Sequence, residues 1–537
     1  MIDLNQFSSF FIPLTVAALA LISAIFILRF NVKRSSPKTK KYHPIATSPL
    51  NQVLNYHRLF DLLTDLSRQY KTYRLSSFSR NEIFTTDPAI VEYILKTNFP
   101  NYGKGLYAYN IFNDLLGDGI FAVDGDKWKH QRKLASYEFS TKILRDFSSG
   151  VFKGTAVKLA RILSEISASN QSLDMQNLFM TATLDSVFKV ILGIDLDGLS
   201  GTYEEGARFT AAFDTANGIT SYRFVDFFWK IKRFLNIGSE AKLRRSIKVI
   251  DEFVYKLIKS KIEKLNNPHD DLQPVTTPTL CILFDVLVTF VGFANNFILQ
   301  GKKEDILSRF LELKETDPKY LRDIVLNFVI AGKDTTATTL SWFFYFLCKH
   351  PDIQEKIAKE ILEATKVRSN SSIEELAAKV NEETLDKMHY LHAALSETLR
   401  LYPAVPVDGK ICFSDDTLPD GFNVNKGDMI TYLTYAMGRT KELWGNDVEE
   451  FRPERWLNEN GHFQPRSPFI FTSFQAGPRI CLGKDFAYRQ MKIFSMILLG
   501  SYKFKLNDES KPVKYKTALT LHIEGGLHLR VFSRNYS

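Results

Sequence analysis

Phe10 to Leu28 is almost wholly apolar, and about 20 such residues cross a bilayer core as a helix. Pro13 falls in the first turn, where proline is tolerated. Only Asp3 is charged before the run, whereas Arg29, Lys33, Arg34, Lys38, Lys40 and Lys41 follow it. That asymmetry predicts a membrane anchor over residues 1–30 with everything downstream in the cytosol. A cleaved signal peptide is the other reading, although the run is longer than a usual h-region and has no basic n-region. Residues 31–50 carry Pro37, Pro44 and Pro49 among Ser and Thr, the pattern of a short linker.

Beyond residue 50 the apolar positions recur at helical spacing. Ile247–Leu265 reads as a charged helix, and Tyr320–His350 as one long helix. Leu391–Leu401 is a third, and Lys484–Leu499 a fourth, with Phe486, Ala487, Met491, Phe494 and Leu498 on one face. No internal repeat or low-complexity linker divides residues 51–537, so a single large domain is expected. One stretch departs from the pattern. Residues 276–300 include Leu280-Cys-Ile-Leu-Phe-Asp285-Val-Leu-Val-Thr-Phe-Val-Gly-Phe293, too short and too charged at its centre for an easy second membrane span. It reads as an insertion foreign to the domain, such as a retained intron; a surface-buried helix or a membrane-dipping segment is the alternative.

The net charge is +9, but the basic residues are scattered through helical stretches and accompany no nucleic-acid-binding pattern. A solvated surface accounts for most of them. The four cysteines, Cys281, Cys348, Cys412 and Cys481, are far apart and form no CxxC pair. That excludes a disulfide framework or a zinc site and suits a reducing compartment.

Cys481 alone sits among glycines, in Phe474-Gln-Ala-Gly477-Pro478-Arg479-Ile-Cys481-Leu-Gly483. The helical pattern begins immediately afterwards, so the cysteine lies at a helix N-terminus. Backbone N–H groups and the positive end of the helix dipole there favour a thiolate, the form that ligates metal. Gly477 and Gly483 would let the backbone pass close to a flat macrocycle, Arg479 would meet a carboxylate on its rim, and Phe474 would cover the sulfur side.

This loop resembles the haem-binding loop of the cytochrome P450 family, whose haem iron is held by a cysteine thiolate. The resemblance covers roughly residues 50–537 and implies a mainly α fold with small β-sheets, haem b on Cys481, and an anchor in the endoplasmic reticulum membrane. Three further motifs stand in the family's order. Glu397-Thr-Leu-Arg400 places two charges on one helical face, and Phe451-Arg-Pro-Glu-Arg455-Trp456 follows. The family locks such a pair to the downstream arginine beneath the haem, a structural role implied here for Glu397, Arg400 and Arg455. Ala331-Gly332-Lys333-Asp334-Thr335-Thr336 interrupts the long helix with poor helix formers. It resembles the family's acid–alcohol pair, which makes Asp334 and Thr335 the candidate catalytic residues: a hydroxyl to position water and a carboxylate to relay protons. Gly332 would leave room for oxygen. Trp128 and Arg132, at i and i+4, match the pair that the family sets on a haem propionate.

The resemblance further implies electrons from an NADPH-dependent flavoprotein reductase, with Lys127, Lys129, His130 and Lys133 as a basic docking face. Apolar residues expected around the substrate fall in Gly103–Phe121, Ala404–Val407 and Ala518–His522, with Phe224, Phe227, Phe228 and Trp229 near a channel mouth. The wording of the motifs is similar to the plant and fungal fatty-acid omega-hydroxylases, which implies terminal or in-chain hydroxylation of long-chain fatty acids. A reductase-independent peroxide isomerase and a non-catalytic chain disabled by residues 276–300 are the competing readings.

Overall fold

The computed structural model describes residues 40–534 apart from 77–80, 140, 170, 202–203, 267–304, 313–316 and 368–370. The apolar run at residues 10–28 and the stretch 276–300 both lie outside the described residues. Among the described residues no helix is long and apolar enough to cross a membrane.

Helices make up most of the chain. The longer ones are α1 (Leu59–Gln69), α2 (Gly105–Leu116), α3 (Gly125–Phe139), α4 (Lys142–Ser169), α5 (Met175–Leu192), α6 (Glu204–Tyr222), α7 (Gly238–Asn266), α8 (Pro318–Val329), α9 (Thr335–Lys349), α10 (Pro351–Thr365), α11 (His389–Leu401) and α12 (Lys484–Ser501). Their ends follow local chemistry. Asp174 caps α5 by accepting from the Gln176 and Asn177 N–H groups, and Gly193 ends that helix in the left-handed region. Asp317 caps α8, with Pro318 at its first position.

The strands are β1 (Ile45–Thr47), β2 (Thr72–Ser76), β3 (Asn81–Thr85), β4 (Tyr102–Gly103), β5 (Ser172–Asp174), β6 (Asp408–Cys412), β7 (Asp416–Thr417), β8 (Asn423–Val424), β9 (Met429–Tyr432), β10 (Tyr502–Leu506) and β11 (His528–Ser533). They form one six-stranded sheet in the order β1-β2-β3-β9-β6-β4, a three-stranded sheet β10-β11-β5 and the pair β7-β8. The mainly α architecture with small sheets is therefore as expected.

The linker expected over residues 31–50 needs correction at its C-terminal end. The Asn423 N–H donates to the Lys41 carbonyl and the Lys41 N–H to Asn423 Oδ1, β1 pairs in parallel with β2, and the helix Pro49–Leu54 begins before residue 51. Pro49, read as a breaker, occupies the first helical turn, and the Ser48 hydroxyl accepts the Asn51 N–H at 3.3 Å.

The main core joins α4, α5, α8, α9, α11 and α12. Aromatic side chains carry much of it. Phe344 meets Phe179 and Phe504 at centroid distances of 5.1 and 4.8 Å, and Trp342 stacks on Tyr402 at 3.7 Å. Each such ring contributes roughly 1.5–3 kcal/mol on burial. Trp342 also donates its indole N–H to the Leu521 carbonyl at 2.6 Å, which fixes the C-terminal turn against α9.

The long helix expected from Tyr320 to His350 is present as α8 and α9 joined by a π-helical turn, Ile330–Asp334. A π turn inserts one residue and frees backbone groups. Here the Lys333 carbonyl accepts from the Thr183 hydroxyl of α5 at 3.1 Å.

Candidate functional site

A cavity of ≈ 490 Å³ runs between this central helix and the Cys481 loop. Phe112, Leu116, Ile120, Phe139, Phe224, Phe328, Val405, Leu519 and Phe486 give it apolar walls, and Cys481, Arg132, Trp128, Arg479, Ala331, Gly332 and Thr335 also border it. The three regions expected around the substrate, 103–121, 404–407 and 518–522, each contribute residues to this lining. Of the expected aromatic group, Phe224 borders the cavity, Phe227 and Phe228 are exposed, and Trp229 is buried beneath the Arg223 guanidinium, 4.6 Å from the ring centre.

The Cys481 loop is closed by the Cys481 N–H, which donates to the Phe474 carbonyl at 2.8 Å. The thiol lies deep in the protein, yet its surface is open because it faces the cavity. Burial pushes its pKa up; the Gly483 N–H and the charges of Arg132 and Lys484 pull it down by less. Burial thus works against the thiolate that the helix terminus favours, and a bound metal cation would add its own charge in the thiolate's favour.

The two glycines of the loop have different reasons. A Cβ on Gly477, at φ +65°, would come within 1.9 Å of the Leu95 carbonyl oxygen. Gly477 thus packs against the turn Tyr93–Thr97 and does not border the cavity, contrary to the expectation that it faces a macrocycle. Gly483 does border it, and a Cβ there would lie 3.9 Å from the Cys481 sulfur. Gly332 borders the cavity as well, packed there against Val187. The space its missing side chain leaves is taken by Val187, 2.6 Å from where a Cβ would stand.

Arg479 reaches across to α3. It donates to Asp124 Oδ1 at 2.6 Å and to the Val123 carbonyl at 3.0 Å, and its guanidinium lies 4.4 Å from the Trp128 ring centre. Its buried Nε has no acceptor among the described residues. Arg132, on the same helix as Trp128, is half-buried at the cavity wall with no carboxylate partner among the described residues. Burial lowers its pKa, and the Cys481 thiol opposes that shift.

Sequence reasoning missed a second cationic group beside it. Lys104 pairs with Asp408 at 2.6 Å, and Lys410 pairs with the other oxygen of Asp408 at 2.5 Å. Burial pushes Lys410 down to about 7, with Asp408 opposing the shift and Lys104 and Arg479 adding to it. Asp408 and Lys410, two apart on β6, share one face of the strand, which was the available sequence signal. Unpaired cationic donors at an apolar wall, beside an open thiol, fit a flat apolar macrocycle that carries carboxylates and a metal. Cys481 can hold the iron of haem, and Trp128, Arg132 and Arg479 can hold its propionates.

Glu397, Arg400 and Arg455 come together in one buried group. Glu397 accepts from Arg400 Nε and Nη2, both at 2.8 Å, from Arg455 Nε at 2.9 Å, from Trp456 Nε1 at 2.9 Å and from the Arg452 N–H at 3.0 Å. Arg400 also donates to the Val448 and Glu450 carbonyls, and Arg455 to those of Trp444 and Asp447. All three charged side chains are buried.

The acid–alcohol pair is split. Thr335 borders the cavity, and its hydroxyl donates to the Ala331 carbonyl. That is the expected replacement of a backbone bond. Asp334 faces away from the cavity toward α6. Lys333 Nζ donates to its Oδ1 at 2.8 Å and Asn217 Nδ2 to its Oδ2 at 2.8 Å.

The sequence model of the family described as "Cytochrome P450" matches residues 37–530. The chain is 47% identical to Cytochrome P450 704C1 of Pinus taeda, over 99% of each protein. It is 44% identical to Cytochrome P450 704B1 of Arabidopsis thaliana, over 97% of this chain and 99% of that one. With Cytochrome P450 94A1 of Vicia sativa it shares 35% identity, over 92% of this chain and 90% of that protein. With these matches and this geometry, the chain belongs to the cytochrome P450 family of haem-thiolate monooxygenases.

Proposed function

We propose that this enzyme hydroxylates long-chain fatty acids at a terminal or in-chain carbon, with Cys481 as the axial ligand of its haem. The observation that carries the reading is the cavity. Cys481 and Thr335 border it together with apolar walls and the neutral polar side chains of Gln52, Tyr56 and Ser221, a lining that suits an acyl chain. The motif wording supports the same substrate class, since it resembles the plant fatty-acid omega-hydroxylase branch.

Haem, once bound, supplies the oxygen-activating chemistry. The chain's own residues do the rest. The apolar walls exclude water from the bound alkyl chain and hold one of its carbons near the iron. The Thr335 hydroxyl, already polarised toward the Ala331 carbonyl, orders water at the cavity wall. Asp334, next to Thr335 in the chain but turned toward α6, would relay protons to that water once released from Lys333 and Asn217.

Electrons come from an NADPH-dependent flavoprotein reductase. Lys127, Lys129 and Lys133 on α3 are all exposed, with Lys127 engaged by Asp118 at 2.7 Å and Lys129 by Asp126 at 3.0 Å. Lys133 therefore carries more of the proposed docking charge than either. Exposed Leu50, Leu54, Leu106, Phe228 and Phe234 lie on segments next to the cavity-lining Gln52, Ala108 and Val225. Contact of that rim with membrane lipid would let an apolar substrate enter directly from the bilayer, in keeping with the anchor expected at residues 1–30 in the endoplasmic reticulum membrane.

Full-length enzyme reconstituted with a reductase and NADPH should convert medium- and long-chain fatty acids to hydroxy acids, detected by mass spectrometry. An enzyme with an intact haem-thiolate spectrum that turns over none of them would overturn the substrate assignment.

A further inference from the structure

Lys333 is fully buried, an uncommon place for a lysine. Its ammonium lies between two carboxylates, Asp214 Oδ1 at 2.6 Å and Asp334 Oδ1 at 2.8 Å. Asp214 and Asn217 stand three residues apart on α6 and so share one face of it. Asn217 adds the bond to Asp334 Oδ2. The π turn is what aims Lys333 and Asp334 at α6, while Ala331, Gly332 and Thr335 border the cavity.

We propose that Lys333 is a positioning residue that clamps α6 over the cavity through Asp214, so that breaking the outer half of this ionic chain opens the cavity.

Three features support it. The base of the clamp is pinned, because the Lys333 carbonyl is held by Thr183 of α5. The moving end is accessible, because Asp214 keeps 46% of its side-chain surface in solvent. Motion of α6 reaches the cavity, because Ser221 near its end and Phe224 and Val225 just beyond it line the wall. The energetics also suit a reversible device. When α6 lifts, Asp214 and Asn217 return to water together, while Lys333 and Asp334 remain a neutral pair on the central helix. No single buried charge is stranded, so opening avoids the large penalty of an unpaired ion. The inference holds whatever the substrate is.

The test uses the full-length holoenzyme and reads backbone hydrogen exchange across residues 204–222. D214N and K333M should each speed exchange in α6 by roughly tenfold, the size expected for a coupled buried pair, and leave α9 and α12 unchanged. The double variant should add little to K333M, since both single changes remove one interaction. K333R, which keeps the charge, should retain most of the protection. Release of an apolar ligand, followed by the Soret shift in stopped flow, should quicken in parallel. Unchanged α6 exchange in D214N together with normal ligand release would overturn the clamp even if K333M fails to bind haem. So would exchange that rises evenly along the chain, or additive effects in the double variant.

Discussion

Two buried ionic groups flank the cavity, and they are built differently. Beneath the Cys481 loop, one carboxylate, Glu397, receives donors from two guanidiniums, an indole and a backbone N–H. Their remaining donors end on the Gly438 carbonyl, on backbone carbonyls of the segment 444–450 and on the Asp447 carboxylate. Above the cavity, one ammonium bridges two carboxylates, and the outer one is at the surface. The lower group has no weak end, so it fixes the bed of the cysteine loop. The upper group has one, so it can open. Arginine's planar fork suits the first task and lysine's point charge on a flexible stem the second.

The comparison breaks most readily at the lower group. E397A strands Arg400 and Arg455 in a buried site, which costs about 3–5 kcal/mol. Recombinant E397A should lose nearly all haem incorporation, read from the Soret absorbance per protein. Near-normal haem content would show that the lock is dispensable. In the upper half, T335A should lower product formed per NADPH by about 10²-fold or more if its hydroxyl serves proton delivery. Haem content should be unchanged and peroxide release should rise. R479L removes the Asp124 pair and the contact with Trp128. A partly buried charge-assisted bond is worth about 1.5–3 kcal/mol, so haem should dissociate to an acceptor protein faster, with the fold intact by circular dichroism.

The smallest effect concerns Asp185 on α5, which accepts the Gly198 and Leu199 N–H groups. Burial raises its pKa to about 6. A carboxyl raised in the folded state favours folding when protonated, fully below its unfolded pKa of about 3.8, and that contribution is lost as pH rises through about 6. D185N should therefore flatten the fall in melting temperature between about pH 4 and pH 6. An unchanged pH profile would show that Asp185 titrates normally.

The lower half of the site was largely legible in the sequence because its parts are local. Cys481, Arg479 and Gly483 stand within one loop, and Glu397 and Arg400 are one turn apart. The upper half was legible only in residue type. Asp334 and Thr335 lie where expected, but which of them faces the cavity depends on the π turn, whose extra residue has no sequence signature of its own. The partners supplied by distant segments were invisible: Asp124 for Arg479, Asp408 for Lys104, and Asp214 for Lys333. Gly332 and Gly477 were read as making room for a ligand. The atoms that require them glycine belong to Val187 and Leu95, remote in the chain.

The central claim is thiolate ligation by Cys481, and its most direct test is the carbon monoxide difference spectrum of the reduced, full-length protein in membranes. A strongly red-shifted Soret band in the wild type, absent from C481A, is the predicted result. A band that appears only after residues 276–300 are deleted would keep Cys481 as the ligand and make the intact chain inactive. No such band from either form, or one that persists in C481A, would contradict the claim.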